Sequence, residues 1–180
     1  MGGVDKGLQL HNGICLAQHA LTRLLPQVAS VYFNANRNAA DYEALGAAVW
    51  PDVLPDQPGP LAGFLAGLTH CVTDYLVTVP CDTPNFPKDL VARLAQALME
   101  ADADIAMAAT RTADGIQVQP VFCLMKVNVK ESLALFTASG QRKIDKWTAT
   151  LHCVEVVFDD EMAFFNANTD AELAQLQAQA

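Results

Sequence analysis

Apolar positions along this chain change repeatedly between helical spacing and short continuous runs. Leu16, Ala20, Leu21 and Leu24 recur every three or four residues, which predicts a helix that ends near Pro26. The same spacing predicts further helices over 41–45 (closed by Gly46), 61–68 and 132–136, one that starts at Pro87, and a last one capped by Thr169 and Glu172. Apolar runs predict strands over 30–33, 48–50, 75–79, 105–109, 118–125 and 154–158.

Strands separated by helices predict an α/β fold of three layers, with a mostly parallel sheet covered by helices on both faces. The unbroken apolar run over 75–79 is expected to be an interior strand, and Asp114-Gly115 a turn between two later strands. Ligands of such sheets bind at the carboxyl ends of the strands. That rule selects Asn34, Asp52 and Asp82, each of which comes just after a predicted strand.

Composition limits the classes of partner. The 180 residues suit one domain, and a formal charge of −9, from 20 acidic and 11 basic residues, opposes binding to a nucleic-acid backbone. Five cysteines without a CxxC pair indicate neither a disulfide framework nor a structural zinc site. No apolar run approaches the roughly 20 residues that span a bilayer. We therefore expect a cytoplasmic protein with no nucleic-acid or membrane partner.

Two charged residues are candidates for catalysis. Lys6 follows Gly2 and Gly3, a setting in which a lysine can offset the charge of transferring phosphates, although a solvated lysine gives the same pattern. Asp82 follows an apolar strand and precedes Thr83-Pro84. A carboxylate there can bind Mg²⁺ while substrate phosphates fill the other positions. The alternative is a cap for the following helix.

Glycines and asparagines supply further candidates. Gly59, Gly63 and Gly67 are spaced by four, which fits close approach of the backbone to a ligand or tight packing of a helix on the sheet. Asn166 and Asn168 fall on one face of an extended segment, where two amides can bind a polar heterocycle; helix capping is the alternative.

Other common sites find no support in the sequence. Neither a GxGxxG nor a GxxxxGK[ST] motif occurs, which argues against a Rossmann dinucleotide site and a P-loop. Cys81 has no base beside it in sequence and is interpreted as a packing residue. The four histidines are interpreted as scattered residues that form no metal-type pair: His11, His19, His70 and His152.

Six segments, taken in order, resemble the molybdenum cofactor guanylyltransferase family. They are Met1-Gly2-Gly3-Val4-Asp5-Lys6-Gly7, Asn34-Ala35-Asn36-Arg37, Pro51-Asp52, Pro58-Gly59-Pro60-Leu61-Ala62-Gly63, Pro80-Cys81-Asp82-Thr83-Pro84 and Asn166-Ala167-Asn168-Thr169. Each segment alone is a weak signal, but their conjunction is specific and covers nearly the whole chain.

The resemblance implies a fold like that of the nucleotide-diphospho-sugar transferases and a reaction in which the phosphate of molybdopterin attacks the α-phosphate of GTP. It implies that Lys6 neutralises GTP phosphates, that Asn34, Asp52, Gly59 and Gly63 hold the nucleotide, and that Asp82 binds Mg²⁺. It places Asn166 and Asn168 toward the pterin. It also implies other molybdenum cofactor biosynthesis proteins and molybdoenzyme chaperones as partners.

The family pattern opens with a strand and a Leu-Ala-Gly-Gly loop that runs into an Arg, ahead of the residues that match here. We therefore expect a start upstream of Met1, with residues 1–180 a single nucleotidyltransferase domain shortened at its N-terminus relative to the family and missing its first strand. Two alternative hypotheses remain. The chain could be a cytidylyl- or sugar-nucleotidyltransferase, or a degenerate nucleotide-binding protein without activity.

Overall fold

A computed structural model describes residues 5–53, 59–113 and 115–166. Its first regular elements are a single 3-10 turn, Lys6–Leu8, and a hairpin of β1 (Leu10–His11) and β2 (Ile14–Cys15). The hairpin turns at Asn12 and Gly13, whose φ angles of 52° and 79° suit a two-residue connection. The apolar pattern does not predict this hairpin, because strands of two residues leave no periodic signal.

The remaining strands form two sheets. A parallel pair consists of β3 (Tyr32–Asn34) and β4 (Ala48–Trp50). A four-stranded sheet has the order β5-β7-β6-β8, with β5 (Tyr75–Thr78), β6 (Ile105–Thr112), β7 (Gly115–Lys126) and β8 (Cys153–Phe158). In this sheet β7 is antiparallel to β5 and β6, whereas β6 and β8 are parallel. The α/β class is confirmed, and the sheet is mixed because the β6–β7 hairpin inserts an antiparallel strand.

The strand predicted to be interior, β5, lies at one edge of this sheet among the described residues. It pairs there with β7 alone, and Tyr75 at its start is 39% exposed. Its apolar run instead reflects burial of both faces of the strand. Leu76 packs against the helix over residues 60–70 on one face, and Val77 packs into the hydrophobic core on the other. An unbroken apolar run thus reports that both faces of a strand are covered, not that both edges are paired.

Six α-helices lie among the described residues: α1 (Leu16–Leu24), α2 (Ala39–Glu43), α3 (Pro60–His70), α4 (Leu90–Glu100), α5 (Lys130–Ala138) and α6 (Ile144–Thr148). The first five match predicted helices. However, α4 begins at Leu90 after Asp89, while Pro87 accepts a hydrogen bond in the turn before it, so the predicted start was wrong. The sequence did not predict α6. The predicted last helix at Thr169 and Glu172 lies outside the described residues.

Helices bury both faces of the four-stranded sheet. On one face, α1 and α4 pack with Ala106 and Ala108; on the other, α3, α5 and α6 pack with Ile105 and Met107. Successive side chains of β6 therefore enter opposite cores, as the pleat of a strand requires. A smaller cluster joins Ala17 and Leu21 of α1 to Phe33 of β3 and Tyr42 of α2. None of the helices in the described ranges has the length and apolar character needed to cross a membrane.

Candidate active site

Lys6 and Asp82 interact, although 76 positions of sequence separate them. Burial raises the pKa of the Asp82 carboxyl, and the positive charge of Lys6 opposes that rise. Lys6 opens the first 3-10 turn, and Asp82 lies in the turn that follows β5. The fold thus places an ammonium group near a half-buried carboxylate, as the two sequence-based candidates require.

Asn166 lies next to the Asp82 turn. The buried hydroxyl of Thr83 donates a hydrogen bond to Asn166 Oδ1 over 2.5 Å. Asn166 follows a 3-10 helix, Glu161–Phe164, whose start is capped by the carboxylate of Asp160. Its exposed side chain therefore adjoins the candidate metal ligand, whereas Asn168, the other predicted asparagine, lies outside the described residues.

The carboxyl ends of β3 and β4 are joined through Asp52. The Asn34 amide donates to Asp52 Oδ1 over 3.0 Å and to the carbonyl of Trp50 over 3.1 Å. Asn36 donates to Asp52 Oδ2 over 2.7 Å, and its own amide oxygen accepts from the Asp52 backbone N–H over 2.8 Å. Both predicted residues, Asn34 and Asp52, thus belong to one hydrogen-bonded group. The sequence pattern predicts no separate role for Asn36.

Helix α3 starts beside this group. Gly59, with φ of 116°, adopts a backbone conformation that other residues rarely take, and Pro60 occupies the first helical position. One turn later, an ideal Cβ at Gly63 would lie 2.6 Å from Asn34 Oδ1. At Gly67 it would lie 2.8 Å from Leu76 Cδ2. The three glycines therefore differ: the first permits the turn, the second accommodates Asn34, and the third packs the helix on the sheet.

The start of α3 offers backbone donors to an anion. The first N–H groups of any helix have no partner inside it, and Gly59 provides no side-chain cap. Helix α3 contacts both β3 and β5, so its position is set by strands that lead to Asn34 and toward Asp82. Amide donors, an ammonium and a carboxylate at strand ends are groups that together bind a polyphosphate with a divalent cation.

The donor set fits magnesium better than zinc. Within the residues that the structure describes, no three His, Cys, Asp or Glu side chains come together as a metal site. Asp82 would therefore supply a single protein carboxylate. Mg²⁺ is commonly bound by one or two carboxylates together with substrate phosphates, whereas structural zinc takes four protein ligands.

Two histidines assemble, contrary to the sequence interpretation. The rings of His11 and His19 meet edge to face with centroids 5.2 Å apart, because the β1–β2 hairpin folds against α1. The Nε2 nitrogen of His19 donates a hydrogen bond to the carbonyl oxygen of His11 over 2.9 Å. Burial, followed by the charge of His19, lowers the pKa of His11.

A short stack of rings borders Asp52. The rings of Tyr32 and Trp50 are 3.6 Å apart between centroids, and His70 lies 4.5 Å from Trp50 on the other side. Tyr32 and Trp50 belong to β3 and β4, and His70 is the last residue of α3. The stack therefore ties the parallel pair to the far end of the helix that starts at the candidate site.

Asp5 has hydrogen-bond and ion-pair partners that the sequence pattern does not predict. The Tyr42 hydroxyl donates to Asp5 Oδ1 over 2.6 Å, Asn38 donates to Oδ2 over 3.0 Å, and Arg37 Nε lies 3.7 Å from Oδ2. Asp5 directly precedes Lys6, but its partners are more than thirty positions away, and no local pattern joins them. The one sequence signal for Asp5 is its position as a charged residue next to Lys6.

Comparison with known proteins gives concordant matches. Residues 1–155 match the family model described as the MobA-like NTP transferase domain. The chain is 61% identical over 179 residues to the molybdenum cofactor guanylyltransferase of Bordetella pertussis, covering 99% of this chain and 90% of that protein. It is 58% identical over 187 residues to the protein of the same name from an Acidovorax species, covering 98% and 89%.

Solved structures share the fold at low identity. The molybdopterin-guanine dinucleotide biosynthesis protein A of Archaeoglobus fulgidus superposes with a TM-score of 0.78 at 22% identity, over 98% of this chain and 91% of that one. The 2-C-methyl-D-erythritol 4-phosphate cytidylyltransferase of Thermus thermophilus superposes with a TM-score of 0.77 at 15% identity, over 97% and 93%. At these identities the structural likeness shows the fold and not the substrate.

Proposed function

The chain belongs to the family of MobA-like NTP transferase domains, and from that membership we propose that it transfers the guanylyl group of GTP to the phosphate of molybdopterin. The products are the guanine dinucleotide form of the molybdenum cofactor and pyrophosphate. The observation that carries this proposal is 61% identity along 90% of a molybdenum cofactor guanylyltransferase. The positive charge of Lys6 acting on a half-buried Asp82 supports it from the electrostatics of the folded chain.

We assign the nucleotide to the region between Asn34 and Lys6. Asn34 and Asp52, held together by hydrogen bonds, contact the guanosine, and Gly59 and Gly63 let the start of α3 approach it. The ammonium of Lys6 neutralises phosphate charge, which grows on the leaving group as the reaction proceeds. These side chains bind and orient GTP before any bond changes.

In the transfer, an oxygen of the molybdopterin phosphate forms a bond to the α-phosphorus of GTP. The bond from that phosphorus to the bridging oxygen of the β-phosphate breaks, and pyrophosphate leaves with the bonding electrons. Asp82 would hold Mg²⁺ together with phosphate oxygens. The cation, when bound, draws charge from the triphosphate and lowers the barrier. Because Asp82 is half-buried, its carboxylate would lose less hydration on taking up the cation than a fully exposed one.

Asn166 is assigned to the acceptor. Its amide oxygen accepts from Thr83, so the amide nitrogen is turned away from that contact and can donate to the pterin or its phosphate. Asn168 is proposed for the same side by resemblance alone. Partner proteins of cofactor biosynthesis, molybdoenzyme chaperones and a cytoplasmic location also stay predictions.

A direct assay tests this proposal. The purified protein is incubated with molybdopterin, MgCl₂ and GTP, and the guanine dinucleotide and pyrophosphate are quantified. We expect both products in equal amounts, and none when EDTA replaces MgCl₂. CTP and ATP are tested in competition with GTP. Preference for CTP would favour the cytidylyltransferase reading, and tight binding of GTP without turnover would favour a non-catalytic protein.

A further inference from the structure

Asp5 is the point at which two distant segments meet. Its side chain is only 14% exposed, and three groups from the region of α2 reach its two carboxylate oxygens. Asn38 has a φ of 53°, in the left-handed region, which presents its amide to Asp5. A non-glycine residue in that region carries backbone strain, and a charge-assisted hydrogen bond is a stabilising compensation.

Tyr42 extends this connection to a third segment. It is 4% exposed, and its hydroxyl interacts with both the Asp5 carboxylate and the Cys81 thiol. A Cβ added to Gly7 would collide with the Tyr42 hydroxyl and lie 2.9 Å from Cys81 Sγ. The backbone next to Lys6 therefore rests directly on this pair, and Cys81 is the residue before Asp82.

We propose that Tyr42 is a positioning residue, whose hydroxyl fixes the Lys6 turn and the Asp82 turn relative to each other by contacting Asp5 and Cys81. This inference rests on the proposed function for the roles of Lys6 and Asp82. Tyr42 itself lies buried beneath the turn, with its hydroxyl against Gly7. Its effect on the reaction is exerted through Lys6, whose ammonium must face the phosphates that share a cation with Asp82.

Tyr42 could instead matter only through the packing of its ring, and that alternative predicts a different result for removal of the hydroxyl. As part of the small cluster with Ala17, Leu21 and Phe33, its ring contributes to packing. Tyr42→Phe keeps that ring and removes only the hydroxyl. If the hydroxyl served packing alone, its loss would leave the two turns in place.

Labelling of thiols tests the position of the turns without any nucleotide. Cys81 and Cys123 are alkylated in the folded protein, and the rate at each is followed by peptide mass spectrometry. Cys123 is buried in the sheet and Cys81 is partly buried against the cluster that includes Tyr42, so both should react slowly in the unaltered chain. In Tyr42→Phe we expect Cys81 to react roughly tenfold faster while Cys123, inside the sheet, stays protected.

Faster reaction at Cys81 alone reports opening of the two turns, since general loosening of the fold would also expose Cys123. An unchanged or slower rate at Cys81 would overturn the proposal, as would equal acceleration at Cys123. If Tyr42→Phe does not fold, Asp5→Ala decides by the same two rates, since it removes the carboxylate that the Tyr42 hydroxyl contacts.

A double-mutant cycle tests the coupling to Lys6. We expect Tyr42→Phe to lower kcat/KM for GTP on the order of tenfold, and to have little further effect once Lys6→Ala is present. Tyr75→Phe, at the opposite end of β5, is the matched control and should change neither rate nor labelling. Independent, additive losses would refute a role through Lys6. Absence of transfer in the unaltered protein would refute the proposed function, and the thiol rates would still decide the positioning.

Discussion

The amide oxygen of Asn34 lies so close to the backbone of Gly63 that a methyl group added there would come within 2.6 Å of it. Gly63→Ala must therefore displace Asn34 or shift the first turn of α3. We expect KM for GTP to rise about tenfold, the cost of a misaligned hydrogen bond, with a smaller change in kcat. Steady-state kinetics with GTP varied measures both.

Gly67→Ala is the matched control in the same helix. Its added methyl group would meet Leu76, in the core and away from Asn34. Overpacking of this kind costs about 1–3 kcal/mol, partly offset by the higher helix propensity of alanine. We expect a lower melting temperature with unchanged KM. An equal rise of KM in both variants would show that α3 responds as a whole and that Asn34 has no special role.

Replacement of Asp82 should abolish transfer. Asp82→Asn removes the charge that Mg²⁺ requires while keeping the size of the side chain, so kcat should fall about a hundredfold or more. Asp89→Asn, at the exposed start of α4, is the control and should retain activity. Turnover is measured with MgCl₂ in excess, and near-normal turnover of Asp82→Asn would exclude it as the metal ligand.

The same variant tests the electrostatics of the folded chain. The pKa of Asp82 is raised by burial, with Lys6 opposing. A carboxyl whose folded pKa is raised binds its proton more tightly in the folded state, so its stabilising contribution is present in acid and is lost as pH rises through the folded pKa. Asp82→Asn should thus melt at or above the wild-type temperature at neutral pH, with the difference shrinking in acid. A clearly lower melting temperature at neutral pH would contradict the sign.

Lys6→Ala should weaken the phosphate contact. Loss of a charge-assisted hydrogen bond costs about 1.5–3 kcal/mol, or roughly one to two decades in kcat/KM. Lys88→Ala, an exposed lysine between Pro87 and Asp89, is the control. Binding of Mg·GTP by calorimetry, alongside turnover, checks the effect. Similar losses in both variants would indicate that general positive charge, not Lys6, is what matters.

The pair Thr83 and Asn166 offers a test of the acceptor side. Thr83→Val keeps the shape of the buried side chain but removes the hydroxyl that orients Asn166. We expect KM for molybdopterin to rise roughly tenfold with KM for GTP unchanged. A rise in KM for GTP alone would indicate that Asn166 contacts the nucleotide and not molybdopterin.

Strand ends were predictable from sequence because a run of apolar residues followed by a polar one marks the point at which a chain leaves the sheet. That rule found Asn34, Asp52 and Asp82, and the structure joins the first two by a hydrogen bond. It could not give the order of the strands, since the pattern of β5 reports covered faces and carries no information on its edges.

Contacts between distant segments were out of reach for a different reason. Asp5 and Tyr42 carry no shared local signal, and their hydrogen bond exists only because α2 folds over the first turn. The meeting of His11 with His19 had a usable signal in Asn12-Gly13, a dipeptide typical of tight hairpins, which returns the chain onto α1. The hairpin was not predicted because its two strands have only two residues each and leave no periodic pattern.

The ring stack beside Asp52 gives the protein an optical reporter. The chain has two tryptophans, and Trp147 is fully enclosed in the core. Trp50 is half-buried between Tyr32 and His70, and its carbonyl accepts a bond from Asn34. Any movement of Asn34 toward a nucleotide therefore alters the setting of one indole and leaves the other as an internal reference. We therefore expect emission from the unmodified chain to report occupancy at β3 and β4 without a dye, a label or a substitution.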